Sequence, residues 1–263
     1  TAHTAWLIFI AIMSYLLIAV AGVTHKDLLA SSDIPLPVLQ VKIDLTRFFL
    51  FAPIVLVLFH LGVVSQLVML ARKTLEFDGS LRMLEVSEAR THPLRLELHN
   101  LFFVQAIAGP ERSRVMSLFL HGMSWLTLVV LPVLLLLFIQ VAFIPYHDQT
   151  ITWAHRLALM ADVGMLILIG VFLTRPEATF FGAFARMTRG HPASVASTVL
   201  VLILVSVFSM LVATIPGEPL DRAGRAIFGG TSPTAAAFRS DRAAYGFVMP
   251  FFGGRRDGTL FGV

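Results

Sequence analysis

Met116 to Ile144 reads MSLFLHGMSWLTLVVLPVLLLLFIQVAFI, 29 residues with no Asp, Glu, Lys or Arg. A bilayer's hydrocarbon core is crossed by about 20 residues of helix, so this stretch is predicted to be a membrane span. Pro132 lies within it, where a proline removes one backbone hydrogen bond and crowds the preceding turn, so the span is expected to be kinked. The run ends at Pro145-Tyr146-His147-Asp148, an amphipathic stop.

The composition agrees with this reading. Of 263 residues, 57% are hydrophobic and 14% charged, and the mean hydropathy is +0.82. An average soluble domain is about a quarter charged, so an all-α integral membrane protein is expected. The net charge is +4, but the basic residues flank apolar segments, which points to anionic lipid headgroups at the cytoplasmic face and away from nucleic acid. With no cysteine, disulfides, thiolate metal sites and cysteine catalysis are excluded.

Working outward, four further spans are expected. The first is 6–23, with Trp6 at headgroup level. The second is 48–70, with Pro53 in its first turns and Arg72-Lys73 closing it. The central span is 116–144, and 157–173 and 195–215 follow it. Pro35 and Pro37 make the connection before the second span a loop, extended around the prolines. In the connection 72–115, Leu94, Leu98, Leu101 and Phe102 recur at helical spacing. Leu94 to Ile107 is therefore predicted as a helix lying in the interface, stopped by Gly109-Pro110. A second interfacial piece is expected over 174–194.

Five spans put the chain ends on opposite sides. The even-numbered connections carry about ten basic residues and the odd-numbered ones about four, which places the N-terminus in the cytoplasm. The transmembrane domain is then 1–217, and the tail 218–263 lies in the periplasm. The tail is rich in Gly, Ala and Arg and has no sustained periodicity. Alone it buries too little apolar surface to order itself, so it is read as a partner-docking segment. Phe251, Phe252 and Phe261 are its expected anchors, and Arg255 and Arg256 its rim.

The stretches SYLLIAVAGVTHKDLL from Ser14, LPVLQV from Leu36, LTRFFLFAPIVLVLFHLG from Leu45, QAIAGPERS from Gln105, VAFIPYHDQTITWAHR from Val141 and VATIPGE from Val212 together resemble the membrane domain of the bacterial multi-pass proteins known as pentapeptide-repeat-containing. The resemblance covers Trp6 to Glu218. In that family, tandem five-residue repeats that wind into a right-handed β-solenoid commonly follow the membrane domain. No such repeats occur in this chain, so the resemblance implies a membrane scaffold and no β-solenoid within it.

Few residues point to chemistry. Asp162 is a carboxylate within a span, a functional candidate by default. Ala154 and Ala158 share its face, which calls for a neighbouring helix there, and Arg47 at the outer end of the second span is its expected partner. An ion or solute carrier using Asp162 is one reading. His60 and His121 both lie within spans and are the candidates for ligating haem b, or for a quinone site, between helices. His25 and Asp27, with His147, Asp148 and His155, form a possible outer-rim metal set of nitrogen and oxygen donors. No phosphate-binding loop, dinucleotide fingerprint, HExxH or GxSxG pattern is present. The sequence thus favours a non-enzymatic accessory, anchoring or scaffold subunit of a larger bacterial inner-membrane complex, with other membrane subunits as partners. The haem- or quinone-binding redox subunit is the alternative.

Overall fold

The computed structural model describes residues 2–23, 33–36, 41–85, 92–98, 101–110, 113–146, 148–174 and 192–212, with Arg222 and Ala226. Residues 175–191 of the interfacial piece expected over 174–194, and the tail anchors Phe251, Phe252, Arg255, Arg256 and Phe261, lie outside the described residues.

The described chain is helical apart from one hairpin. Helix α1 spans Ala2–Ala21. Strands β1 (Asp33–Leu36) and β2 (Val41–Asp44) pair antiparallel, with Asp33 opposite Asp44 and Pro35 opposite Lys42. The predicted loop is thus extended at Pro35 as expected, and its two described arms pair with each other, while Pro37 lies outside the described residues. Helix α2 follows over Leu45–Leu84, α3 over Phe102–Ala108, α4 over Arg114–Trp125, α5 over Leu131–Phe143, α6 over Gln149–Thr174 and α7 over Pro192–Val212. A π turn, Leu126–Val130, joins α4 to α5.

Among the described residues, four helices are long and apolar enough to cross a membrane: Ala2–Ala21, Leu45–Leu84, Arg114–Phe143 and Gln149–Gly170. The apolar stretch of α7, Val195–Met210, is shorter.

The largest difference concerns the helix that carries the expected span 48–70. It does not stop near Arg72 and Lys73 but runs 40 residues to Leu84. Its buried positions explain why. Leu45, Phe49, Ala52, Leu56, His60, Val63, Leu67, Ala71, Thr74, Asp78 and Leu81 form one stripe at helical spacing from end to end. Asp44 caps the start by accepting from the Thr46 amide at 3.3 Å. The core forms where this stripe meets Phe9, Met13, Leu16 and Val20 of α1, Leu135, Leu136, Ile139 and Phe143 of α5, and Leu159 and Val163 of α6.

The predicted interfacial helix Leu94–Ile107 is also corrected. A 3-10 turn at Pro93–Arg95 comes first, and the α-helix begins only at Phe102. Arg95, which the helical pattern put outside the apolar stripe, is fully buried. Gly109 does end α3, and its lack of a side chain matters. A Cβ there would run into the Gln105 carbonyl oxygen. Gly109→Ala is expected to lower the unfolding free energy by about 1–3 kcal/mol, as forced overpacking does, read as a lower thermal midpoint of the protein in lipid nanodiscs.

Candidate functional site

Two prolines create the site. Pro132 has no N–H for the carbonyl four residues back, that of Leu128, and Pro53 has none for Phe49. An unmet carbonyl inside a membrane costs several kcal/mol. Each of these two is taken by a buried histidine from another helix. His60 of α2 donates from Nε2 to Leu128 at 3.0 Å, and His155 of α6 donates from Nε2 to Phe49 at 2.8 Å. The backbone near Pro132 also changes pitch. The Leu131 amide reaches back to Leu126, one residue further than in an α-helix, which makes the π turn.

His60 then joins a third helix. Its Nδ1 lies 2.5 Å from Oδ1 of Asp162 on α6, with both side chains shielded from solvent. Phe9 of α1 stacks on the imidazole, ring centroids 5.0 Å apart and planes at 9°. The predicted neighbour on the Asp162 face is therefore α2, but the expected ion-pair partner is corrected. Arg47 is exposed in the first turn of α2, and Asp162 meets His60. Among the described residues Asp162 Oδ2 and His155 Nδ1 have no hydrogen-bond partner.

His60 and His121 are not a haem pair. His60 commits both ring nitrogens within the helix bundle, leaving none for iron. His121 is exposed on α4, where its Nδ1 bonds the Ser117 carbonyl at 2.8 Å. These residues do not fit the cofactor. Of the outer-rim set, His25, Asp27 and His147 lie outside the described residues. Asp148 caps α6, accepting from the Ile151 amide at 2.9 Å, and His155 is turned inward to Phe49. Among the described residues no group of three or more His, Cys, Asp or Glu is placed to hold a metal ion.

Two further polar ties were not anticipated from sequence. Near the end of α7, where the last carbonyls lack helical partners, Gln140 of α5 donates to the Ser209 carbonyl and accepts from its hydroxyl, both at 2.7 Å. Arg156 of α6 donates to the Met210 carbonyl at 2.9 Å and sits 4.9 Å from the Trp153 ring centre.

The second tie lies at the far end of α2. Arg95 donates to Glu85 through Nε and Nη2, each at 2.8 Å. Its Nη1 reaches Asp78 at 2.6 Å and the Ala108 carbonyl at 2.9 Å. The Glu85 carboxylate also accepts from the His92 amide at 2.9 Å, and Asp78 from Arg82 at 2.8 Å. One guanidinium thus fastens α2, the 3-10 turn and α3 together, with the two-pronged geometry that suits Arg. The hydrogen bonds from Arg95 hold Glu85 down at about 2 against the opposing effect of burial, and Arg95 is raised above the ordinary guanidinium value by the same bonds.

The pH consequence follows from the sign of the Glu85 shift. An unfolded Glu binds its proton near 4.5, the folded one only near 2, so below 4.5 the unfolded state holds more protons and stability falls with pH. The contribution is complete above pH 4.5 and is expected to disappear progressively as pH drops towards 2. Unfolding midpoints measured over that window should fall more steeply for the natural protein than for Glu85→Gln.

The chain matches no family model, and neither curated proteins nor solved structures give a match to it.

Proposed function

We propose that the protein is a non-catalytic accessory, anchoring or scaffold subunit of a larger membrane assembly in a bacterial inner membrane. The observation behind this reading is where the polar groups go. His60, Asp162, His155, Gln140, Ser209 and Arg95 all bond across from one structural element to another. Their chemistry is spent on fixing helices against each other, as expected of a chain whose task is to hold a shape. The haem form of the redox alternative is disfavoured, because both His60 ring nitrogens are engaged within the bundle.

In this proposal α7 is the fifth span, the N-terminus is cytoplasmic and 218–263 docks a partner in the periplasm. The C-terminal part of α2 and the residues from there to the start of α4 then lie at the cytoplasmic headgroups, where exposed Arg72, Lys73 and Arg114 attract anionic lipid. The resemblance to the membrane domain of pentapeptide-repeat-containing proteins supports the same scaffold role. The test is extraction in mild detergent followed by mass spectrometry of what co-purifies. A membrane complex recovered in fixed ratio, and lost on deleting 218–263, is the expected result. Purification alone, or with copies of itself only, would overturn the proposal.

A further inference from the structure

The hydrogen bonds around His60 fix a proton count. A carbonyl oxygen only accepts, so Nε2, facing Leu128 at 3.0 Å, carries a hydrogen. Nδ1 and Asp162 Oδ1 face each other at 2.5 Å. Two bare atoms at that distance would repel, so one proton lies between them, on the nitrogen or on the oxygen. The pair is neutral in sum either way. Loss of that proton leaves a lone pair on Nδ1 facing a carboxylate, with one uncompensated negative charge in an apolar enclosure.

We propose that His60 and Asp162 form a buried proton-binding site, and that the proton they share keeps α2 and α6 closed around the backbone break at Pro132. This goes beyond the scaffold role and does not depend on it. Release is written simply: the protonated pair gives H⁺ and an anionic pair, no other bond is made, and the only acceptor of the freed charge is the carboxylate. Asp162 Oδ2, buried and without a partner among the described residues, is the atom at which a proton arrives or leaves. With the Nδ1 to Oδ1 bond gone, His60 is no longer held in the orientation that presents Nε2 to Leu128, and the π turn loses its external donor.

The surroundings bring little competing charge. From α1 the pair meets Phe9, and Tyr15 lies six residues further along. From the π turn it meets the Leu128 carbonyl. On α6, His155 and Arg156 precede Asp162 by seven and six residues and are engaged with Phe49 and Met210. On α4, the exposed His121 is bonded to Ser117.

The experiment uses the full chain in lipid nanodiscs, titrated from about pH 4 to 10, the span between free carboxyl and free tyrosine values. Imidazole ¹⁵N resonances of His60 and infrared carboxyl bands of Asp162 should change in one common step, and amide exchange at Leu131 and Val133, corrected for its intrinsic pH dependence, should speed up at the same pH. In Asp162→Asn the side-chain amide donates to Nδ1 permanently, so the exchange step should be lost while the thermal midpoint stays close to that of the natural protein. Absence of a common step, or its persistence in Asp162→Asn, would overturn the proposal. If Asp162→Asn does not fold, Asp162→Glu, which keeps the carboxyl on a longer arm, should shift the step to a different pH, and an unmoved step would equally refute it.

Discussion

Arg95→Ala is expected to cost about 3 kcal/mol of folding stability, the lower end of what breaking a buried ion pair removes. Arg95 is fully buried, and Glu85 and Asp78 keep side-chain exposures of 4% and 9%, so the substitution leaves two shielded carboxylates without their shared donor and the Ala108 carbonyl unmet. The lower figure is appropriate because the cluster gathers at the C-terminal end of α2, around Asp78 and the capping residue Glu85, and the end of a helix admits water to freed carboxylates more easily than the middle of the bundle does. The measurement is the thermal or denaturant midpoint in nanodiscs. Arg95→Lys should recover only part of the loss, because an ammonium cannot reproduce the paired contact with both Glu85 oxygens. Full recovery by Lys would show that charge alone sustains the cluster.

His60→Ala is the other large effect, expected at about 3–5 kcal/mol, since it unpairs a buried ionisable partner and strips the donor from a carbonyl that its own helix does not serve. The same substitution removes the ring on which Phe9 stacks. Combining it with Pro132→Ala gives a sharper comparison. Restoring the residue 132 N–H lets the helix serve Leu128 itself, so the double variant should be more stable than His60→Ala alone. If Pro132→Ala brings no recovery, the role assigned to the proline break is wrong.

How legible all this was in the sequence depends on the kind of signal. Spans show themselves by length and apolarity, and Ala2–Ala21 and Arg114–Phe143 lie close to where the apolar runs put them. The end of α2 was hidden because Arg72 and Lys73 mark the end of an apolar run and not the end of the helix, while the stripe that continues through Thr74, Asp78 and Leu81 carries polar residues that a hydrophobic pattern does not count. Arg95 escaped for a related reason. A lone arginine in a charged connection resembles a solvated one until Glu85 and Asp78, 10 and 17 residues earlier, are folded back upon it. Asp162 was visible as a costly residue but its partner was not, because depth along a span does not reveal azimuth. One signal was present and unused. A proline within a span marks the carbonyl four residues before it as needing a donor, and both such carbonyls, Phe49 and Leu128, are served by buried histidines.

The length of α2 has a mechanical consequence. At 1.5 Å per residue its 40 residues make a rod of about 60 Å, roughly twice the thickness of the hydrocarbon layer. His60 and Asp78 are 18 residues apart, five full turns, so they point along the same line of that rod with about 27 Å between them. Tilting the rod by about 10° would sweep the Glu85 end through about 5 Å if that arm is about 30 Å long, and rotating it about its own axis would turn the His60 contact and the Arg95 clamp by the same angle. A change in bilayer thickness that re-seats such a rod would thus be felt at the His60 contact and at the Arg95 clamp together.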